Sequence, residues 1–254
     1  MMHRQPNTIL CLLLAMLLFA ACGTTGISPQ EKKKASASRN LGEAYLSEGN
    51  YTAALGELLK AEKINPEDPI LHNDLGLVYM AKDKIDLAVV HFEKAVHLKP
   101  DYSLAKNNLG SAYLVRKQWD KAIVMLEEVT GDMLYATPHF PLANLGWAYY
   151  NQKNYDKALT YLKEALQLKP EFYIAQLNLG RTYLATGRLH AALSQFEMMI
   201  KDNPRNPDVL LELGRTYRLL GDYSNARLAL KGAIEYTDDS NLAVEASEEL
   251  KKIY

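Results

Sequence analysis

Histidines are the first side chains to test for chemistry, because metal sites and general bases often use them. The six histidines stand at positions 3, 72, 91, 97, 139 and 190, and none shows the H-E-x-x-H spacing that places two zinc ligands on one helical face. His91 and His97 are six residues apart, so we expect them on different faces of a helix, exposed to solvent. The sequence also contains no G-x-S-x-G nucleophile motif and no phosphate-binding glycine loop. It therefore predicts a protein that is not an enzyme and needs no metal or cofactor.

The two cysteines indicate a different kind of chemistry. Cys11 lies within an apolar run from residue 9 to residue 21, which follows Arg4, and Cys22 comes directly after that run. Thirteen residues rise only about 20 Å as a helix, which is too short for a hydrocarbon core of about 30 Å. A basic residue followed by a short apolar run is typical of a secretory signal peptide. Its removal would leave Cys22 as the only cysteine, so no disulfide could form within the mature chain.

The residues around Cys22 resemble a bacterial lipobox. Residues 18–22 read LFAAC, with two small residues before the cysteine that is lipidated in lipoproteins and becomes their first residue. The alternative is an ordinary signal peptide followed by an incidental thiol. Several acyl chains would hold the protein permanently on a membrane, since each buried methylene contributes roughly 0.8 kcal/mol. Gly23 after the cysteine favours the outer membrane by the sorting logic of bacterial lipoproteins, so we expect a lipid-anchored protein there, facing the periplasm.

The charge of the chain gives no sign of a nucleic-acid partner. Without residues 1–21 the chain has 28 basic and 30 acidic residues, a net charge of about −2, so it lacks the strong positive field that such partners require. The exception is a local basic stretch at residues 32–34. We interpret residues 22–34 as a short polar tether whose lysines lie near acidic lipid head groups.

Six glycines recur at a nearly constant spacing. They are Gly42, Gly76, Gly110, Gly146, Gly180 and Gly214, with intervals of 34, 34, 36, 34 and 34 residues. A leucine precedes each of them, a tyrosine follows three residues later, and alanine and leucine or phenylalanine follow at fixed offsets. Spacings of three and four residues place these side chains on one helical face. The pattern resembles the tetratricopeptide repeat (TPR), a helix-turn-helix unit that buries its apolar face only by stacking on neighbours.

This resemblance implies an all-α fold, a right-handed superhelical solenoid of six TPR repeats with a C-terminal capping helix. The repeats would occupy residues 35–68, 69–102, 103–138, 139–172, 173–206 and 207–240. Turn sequences such as Glu48-Gly49-Asn50 are expected between the two helices of a repeat. The third repeat has two extra residues and no closing proline, so we expect an irregular turn at residues 131–138. Residues 241–254 are expected to form a polar-faced cap over the last repeat.

TPR arrays present the first helix of each repeat to partners, so the candidate binding positions are those that the repeat pattern leaves free. By register they are Arg39, Glu43, Asn73, Leu77, Met80, Asn107, Ser111, Leu114, Phe140, Trp147, Tyr150, Asn151, Leu177 and Arg181. Trp147 and Tyr150 stand out because aromatic residues are enriched at binding hot spots. Leu77, Leu114 and Trp147 have an equally good alternative role, which is packing between adjacent first helices.

The side chains at these positions also indicate the kind of partner. Chaperone-binding TPR domains hold a C-terminal carboxylate with a clamp that would need asparagine where Glu43 stands, together with basic residues further along the groove. That clamp is not assembled here. The mixture of apolar, amide and aromatic side chains suits an extended or amphipathic protein segment better than an acidic tail.

A lipobox followed by six TPR repeats and a capping helix resembles the type IV pilus biogenesis lipoproteins of the PilF, PilW and Tgl type. The passage from residue 132 to residue 146 resembles that family's irregular third-to-fourth junction. The resemblance implies a pilotin, which binds secretin subunits, helps them reach the outer membrane and promotes their multimerisation. The groove would hold a subunit segment that is prone to aggregate while unpaired. Partner contacts in that family are associated with the groove of the early repeats, so the resemblance favours Asn73, Leu77, Asn107 and Ser111 over the later positions.

Other roles are compatible with the same anchor and repeats. A TPR lipoprotein could scaffold peptidoglycan enzymes or exopolysaccharide export machinery, and pilus genes beside this one would favour the pilotin instead. An enzyme with an unrecognised site is a second alternative, and self-association through the groove is a third. All of these except the enzyme predict protein partners and no small-molecule substrate.

Overall fold

The computed structural model describes residues 27–253, so the apolar run, Cys22 and the first part of the expected tether lie outside the described residues. The described residues form thirteen helices and no strand. The helices are α1 Pro29–Ser47, α2 Tyr51–Ile64, α3 Pro69–Ala81, α4 Ile85–Leu98, α5 Ser103–Val115, α6 Trp119–Thr130, α7 His139–Asn151, α8 Tyr155–Leu168, α9 Tyr173–Ala185, α10 Leu189–Asp202, α11 Pro207–Leu219, α12 Tyr223–Tyr236 and α13 Ser240–Lys251. None of them has the length and apolar character needed to cross a membrane. The expected all-α TPR fold is confirmed.

Among the described residues, 27–68 form one compact unit, in which α1 packs on α2. The start of α1 is fixed by a capping box: the Ser28 hydroxyl accepts from the Glu31 backbone N–H, and the Glu31 carboxylate accepts from the Ser28 backbone N–H. Pro29 occupies the first helical position, where its missing N–H has no cost. The expected tether is therefore not a linker at residues 29–34, which belong to α1, although its lysines are exposed.

The described residues from 69 to 253 form the second compact unit, which contains α3 to α13. Its helices pack in consecutive pairs, from α3 with α4 to α11 with α12. The first helices of successive pairs, α3, α5, α7, α9 and α11, also contact one another, and α11 contacts α13. Successive second helices make no such contact within the described part of the chain. The first helices are therefore the more closely spaced side of this unit, and we call them the first-helix row.

The repeat glycines set the distance between the two helices of a pair. A Cβ added at Gly110 would lie 2.7 Å from Cγ of Leu126 on α6, and a Cβ at Gly76 would meet the ring of Phe92 on α4. Leu126 and Phe92 are both fully buried, so neither side chain has room to move aside. The glycine thus allows a large side chain of the second helix to rest directly on the backbone of the first.

Each pair of helices is joined by a three-residue turn whose middle residue has a positive φ. These residues are Gly49, Asp83, Lys117, Lys153, Gly187 and Gly221, with φ of 76°, 56°, 57°, 61°, 71° and 80°. Glycine adopts this region freely, whereas an L-residue brings its Cβ close to the following carbonyl oxygen. The three non-glycine turns therefore carry local backbone strain that the packed helices on either side hold in place.

The repeat tyrosines join neighbouring pairs through hydrogen bonds. The Tyr113 hydroxyl on α5 donates to Glu93 Oε1 on α4 at 2.6 Å, and the Tyr217 hydroxyl on α11 donates to Glu197 Oε1 on α10 at 2.8 Å. Burial and the hydrogen bond to the carboxylate raise the pKa of Tyr217 to about 12. The tyrosine is therefore both a bulky filler and a polar link from one repeat to the one before it.

The connection between α6 and α7 is irregular, as expected. It contains residues 131–138, whereas only four residues join α4 to α5. The connection is longer because the repeat has two extra residues and because α6 is two residues shorter than the other second helices. Asp132 organises the loop: one carboxylate oxygen accepts from the Ser103 hydroxyl, and the other accepts from the Leu134 backbone N–H at 2.9 Å. Met133 and Leu134 are almost fully exposed at its tip.

The last helix, α13, covers the end of the second unit. Leu242 and Ala246 on α13 are buried against Leu230 and Ala233 of α12 and against Leu211 of α11. Asn241, Val244, Glu245 and Glu248 remain exposed. This helix therefore has the apolar inner face and mainly polar outer face of a terminal cap.

Candidate partner-binding surface

One pocket on the first-helix row lies over α7, α9, α11 and α13, with a volume of about 370 Å³. Its walls include Trp147, Tyr150, Arg181, Leu184, Glu212 and Arg215. The rings of Trp147 and Tyr150 are stacked, with centroids 5.2 Å apart and planes 11° from parallel. The guanidinium carbon of Arg181 lies 5.9 Å from the centre of the Trp147 ring, within the range of a cation–π contact. We call this site the aromatic pocket.

Ion pairs fix the charged wall of the aromatic pocket, which lies opposite the Trp147 and Tyr150 rings along the row of helices. Glu212 is buried, and its Oε1 accepts from Arg181 Nε at 2.7 Å and from Arg215 Nη1 at 3.2 Å. Arg215 also donates to Glu245 on α13. Burial alone would lower the pKa of Arg215, but the carboxylates of Glu212 and Glu245 raise it above its ordinary value. The side chain therefore stays charged and links α11 to the capping helix.

Glu249 extends the same charged network along α13. Its carboxylate accepts from Arg218 Nε at 3.0 Å and from Lys252 Nζ at 2.7 Å. Burial would raise the pKa of Glu249, but the hydrogen bond from Lys252 and the charge of Arg218 lower it below its usual value. The carboxylate is therefore ionised at neutral pH, and the cap is attached to α11 by polar as well as apolar contacts.

Nearer the start of the second unit, amides and a hydroxyl link the first helices. Asn108 Nδ2 donates to Asn73 Oδ1 at 2.8 Å, joining α5 to α3, and Asn144 Nδ2 donates to Ser111 Oγ at 3.0 Å, joining α7 to α5. Asn107 is also buried, and no donor among residues 27–253 reaches its Oδ1. A buried acceptor without a partner carries a free-energy penalty.

A row of exposed apolar side chains follows the N-terminal ends of four first helices. Its members are Ile70 on α3, Leu104 on α5, Phe140 on α7 and Ile174 on α9, which are 39%, 44%, 39% and 47% exposed. Each stands six residues before the repeat glycine, so the four are equivalent positions. We call them the apolar edge.

The fourteen positions predicted from sequence have different environments. Asn73, Asn107, Leu114 and Leu177 are buried, and the two leucines belong to apolar cores. Leu114 thus packs in the core, and its part in partner binding stays a prediction. Leu77, Met80, Trp147 and Tyr150 are partly buried against the core, and Phe140 is exposed. Ser111 and Asn151 are partly buried and bond to backbone carbonyl groups within their own helices.

Two of the predicted positions belong to the first unit. Arg39 Nη1 on α1 forms an ion pair with Asp68 Oδ2 at 2.9 Å, and Glu43 is exposed on the same helix. Of the whole predicted set, Trp147, Tyr150 and Arg181 are the residues that come together in the aromatic pocket.

Sequence reasoning missed several members of these sites. It did not include Leu184 in the aromatic pocket, nor Glu212, Arg215 and Glu245, whose ion pairs link residues about 30 positions apart. It also missed Ile70, Leu104 and Ile174, although a signal was present. The position six residues before the glycine is large and apolar in repeats two to five, where the repeat pattern requires no such residue.

One histidine prediction is wrong. His91 was expected to face solvent, but it is partly buried, and its ring stacks on those of His72 and Tyr79 with centroids 5.2 Å apart in both cases. The Nδ1 atoms of His72 and His91 are 3.0 Å apart. Nineteen residues separate the two histidines, so no local spacing rule relates them. His97 is exposed, as expected.

The comparison with family models decides the family. A tetratricopeptide repeat model matches residues 73–130, 143–207 and 177–241, and a TPR repeat model matches residues 42–83. The chain belongs to the tetratricopeptide repeat family. No curated protein sequence matches the chain.

Solved structures of similar fold include two pilus biogenesis proteins. PilF of Pseudomonas aeruginosa is 22% identical, and the alignment covers 87% of this chain and 99% of that one, with a TM-score of 0.71. PilW, a widely conserved type IV pilus biogenesis factor, is 23% identical, with coverage of 86% and 97% and a TM-score of 0.74. YrrB, a TPR protein with an unusual peptide-binding site, is 25% identical, with coverage of 75% and 97% and a TM-score of 0.55. The similarity to PilF and PilW shows a shared fold over nearly their whole lengths.

Proposed function

We propose that this TPR protein is a non-enzymatic pilotin, lipid-anchored at the outer membrane, which binds secretin subunits and promotes their localisation and multimerisation in type IV pilus biogenesis. The observation that carries the proposal is the apolar edge on the first-helix row. The similarity in fold to PilF and PilW supports it, and so does the lipobox-like sequence at residues 18–22.

The apolar edge has the properties of a surface that a partner covers. Large apolar side chains scattered singly are normal on a protein surface, whereas contiguous exposed apolar patches mark interaction sites. Packed helices lie about 8–10 Å apart, so four successive first helices span on the order of 25–30 Å. An extended segment rises about 3.3 Å per residue, so roughly eight or nine residues would cover the edge.

Polar groups of the row suit the backbone of such a segment. Ser111 and Asn151 are partly buried polar side chains on the same helices as Leu104 and Phe140. A secretin subunit before assembly has unpaired strand edges, which aggregate unless they are covered. Binding one strand along the first-helix row would protect the subunit, while the lipid anchor directs the complex to the membrane.

The apolar edge can be tested by capturing secretin subunits with the full chain. In the variant Leu104→Glu with Ile174→Glu, both changed side chains are half exposed, so we expect an intact fold. Losing two apolar contacts of about 1–2 kcal/mol each should weaken capture at least tenfold. Leu114 is unsuitable for this test because it is buried in the core.

A matched control places the same charges on second helices. Val90 on α4 and Val124 on α6 are 58% and 53% exposed, so Val90→Glu with Val124→Glu alters surface charge equally but leaves the first-helix row intact. Capture should be unchanged in this control, and circular dichroism should show native helicity in both double variants. If both variants captured secretin as well as the parent chain, the apolar edge would not be the binding surface.

A further inference from the structure

We propose that His72 and His91 form a binding site for a divalent transition-metal ion such as zinc, which both imidazoles coordinate through Nδ1. His72 lies on α3 and His91 on α4, so the ion would join the two helices of the first pair in the second unit. Neither histidine belongs to the apolar edge or lines the aromatic pocket. The site is therefore independent of the proposed function and goes beyond it.

The two donor atoms already lie close together. Nδ1 of His72 is 3.0 Å from Nδ1 of His91, whereas the ring centroids are 5.2 Å apart, so these nitrogens lie on the sides of the rings that face each other. Zinc binds imidazole nitrogen at about 2.0–2.1 Å, and two such bonds at a tetrahedral angle place the nitrogens about 3.3 Å apart. The pair needs to open by only a few tenths of an ångström to hold the ion.

Proton positions are compatible with this exchange. At 3.0 Å two neutral imidazoles form an N–H···N hydrogen bond, in which one Nδ1 donates to the other. A metal ligand must instead present the Nδ1 lone pair and carry its proton on Nε2. The proton between the rings therefore moves to Nε2 of its own ring when the ion binds. Both imidazoles stay neutral, and no proton is lost.

The surroundings restrict both rings. His72 is 1% exposed, and the Tyr79 ring lies beside that of His91 with centroids 5.2 Å apart and planes 21° from parallel. Side chains that are already held in place lose less conformational entropy when they bind a ligand. His91 is only partly buried, so water can reach this side of the pair and complete the coordination of the zinc.

Packing of the repeats does not require histidine at either position. His72 stands four residues before its repeat glycine, and His91 stands fifteen residues after it. Of the six repeats, the second is the only one with an imidazole at both positions, so the pair is a specific feature of this repeat and not of the fold. The equivalent residues in the later repeats are Lys106 and Met125, Leu142 and Tyr161, Gln176 and Gln195, and Leu210 and Ala229.

The probe is zinc chloride, titrated into the full chain by calorimetry while nitrogen-15 spectra follow the Nδ1 signals of His72 and His91. We expect zinc to shift both signals, and magnesium to leave them unchanged because it prefers oxygen ligands. The imidazole signals distinguish this site from the Cys22 thiol, a residue type that also binds zinc. Signals that do not respond to zinc, or a dissociation constant weaker than about 0.1 mM, would overturn the proposal.

Variants test the two ligands directly. His72→Gln with His91→Gln copies the glutamines at the equivalent positions of repeat five, where α9 and α10 accommodate them, so we expect it to fold. Zinc binding should weaken by about tenfold or more in this double variant and in His91→Gln alone. The zinc-dependent rise in the melting temperature should disappear with it, because an ion that binds only the folded chain stabilises it.

His97→Gln is the matched control, because it removes an exposed imidazole from the same helix as His91. We expect it to bind zinc as the parent chain does. An equal loss in His97→Gln and His91→Gln, or full binding in the double variant, would overturn the site. The Nδ1 signals of the parent chain keep the test decisive if the double variant does not fold.

Discussion

The repeat glycines predict opposite effects of one substitution at two positions. In Gly110→Ala the new Cβ would lie 2.7 Å from Cγ of the fully buried Leu126, about 1 Å closer than an ordinary carbon–carbon contact. Overpacking of this kind costs about 1–3 kcal/mol, and the better helix propensity of alanine returns just under 1 kcal/mol. We therefore expect a net loss of up to about 2 kcal/mol in the free energy of unfolding, measured from urea unfolding monitored by circular dichroism.

Gly56 is the matched control for this prediction. It lies within α2, and an added Cβ would have no heavy atom within 4 Å, so Gly56→Ala should stabilise the protein by about 0.5–1 kcal/mol. A double variant with Leu126→Ala should show coupling, because removing the leucine side chain also removes the clash of Gly110→Ala. If Gly110→Ala proved as stabilising as Gly56→Ala, the close approach of helices would not explain the recurring glycine.

Three further predictions concern a turn, a tyrosine and the anchor. Lys153 has φ of 61° with an exposed side chain, so Lys153→Gly should raise the free energy of unfolding by about 0.5–1 kcal/mol, and a loss of stability would refute the strain argument. The pKa of Tyr217 is raised to about 12 in the folded protein, whereas it is near 10 in the unfolded chain. The contribution of the neutral hydroxyl to the free energy of unfolding is therefore complete below about pH 10 and is lost as the pH rises through 12. Tyr217→Phe should cost about 1 kcal/mol at neutral pH and lessen the fall in stability between pH 10 and 12, and an unchanged alkaline profile would argue against the Glu197 hydrogen bond. Cys22→Ser should abolish labelling by radioactive palmitate and release the protein from membranes, and continued labelling would exclude Cys22 as the lipidated residue.

The fold could be predicted from sequence because its determinants are local and repeated. The glycine interval fixes the repeat length, and the turn sequences mark where each first helix ends. The irregular passage at residues 131–138 was also predictable, since two extra residues and a missing proline interrupt a regular pattern. The start of α1 at Pro29 was not predicted, although the Ser28 and Glu31 capping box is visible in the sequence, because residues 29–34 precede the first repeat and carry none of its pattern.

The candidate site was less predictable, because repeat register identifies a helix face but not the depth of each side chain. Asn73 and Leu114 stand at register positions that suggested a groove, yet neighbouring helices cover both. The aromatic pocket depends on Arg181 reaching Glu212, 31 residues away, and no local pattern encodes that ion pair. The pairing of His72 with His91 has the same origin, since stacking of helices brings distant residues together.

Promotion of secretin assembly is the role that we propose for this protein. The most direct measurement is the amount of heat-resistant secretin multimer in cell envelopes with and without this gene, resolved on a denaturing gel. The proposal predicts that multimers disappear from the deletion strain while monomers remain, and that the intact gene restores them. Normal multimers in the deletion strain would contradict the pilotin function and would favour a scaffold role in another envelope machine.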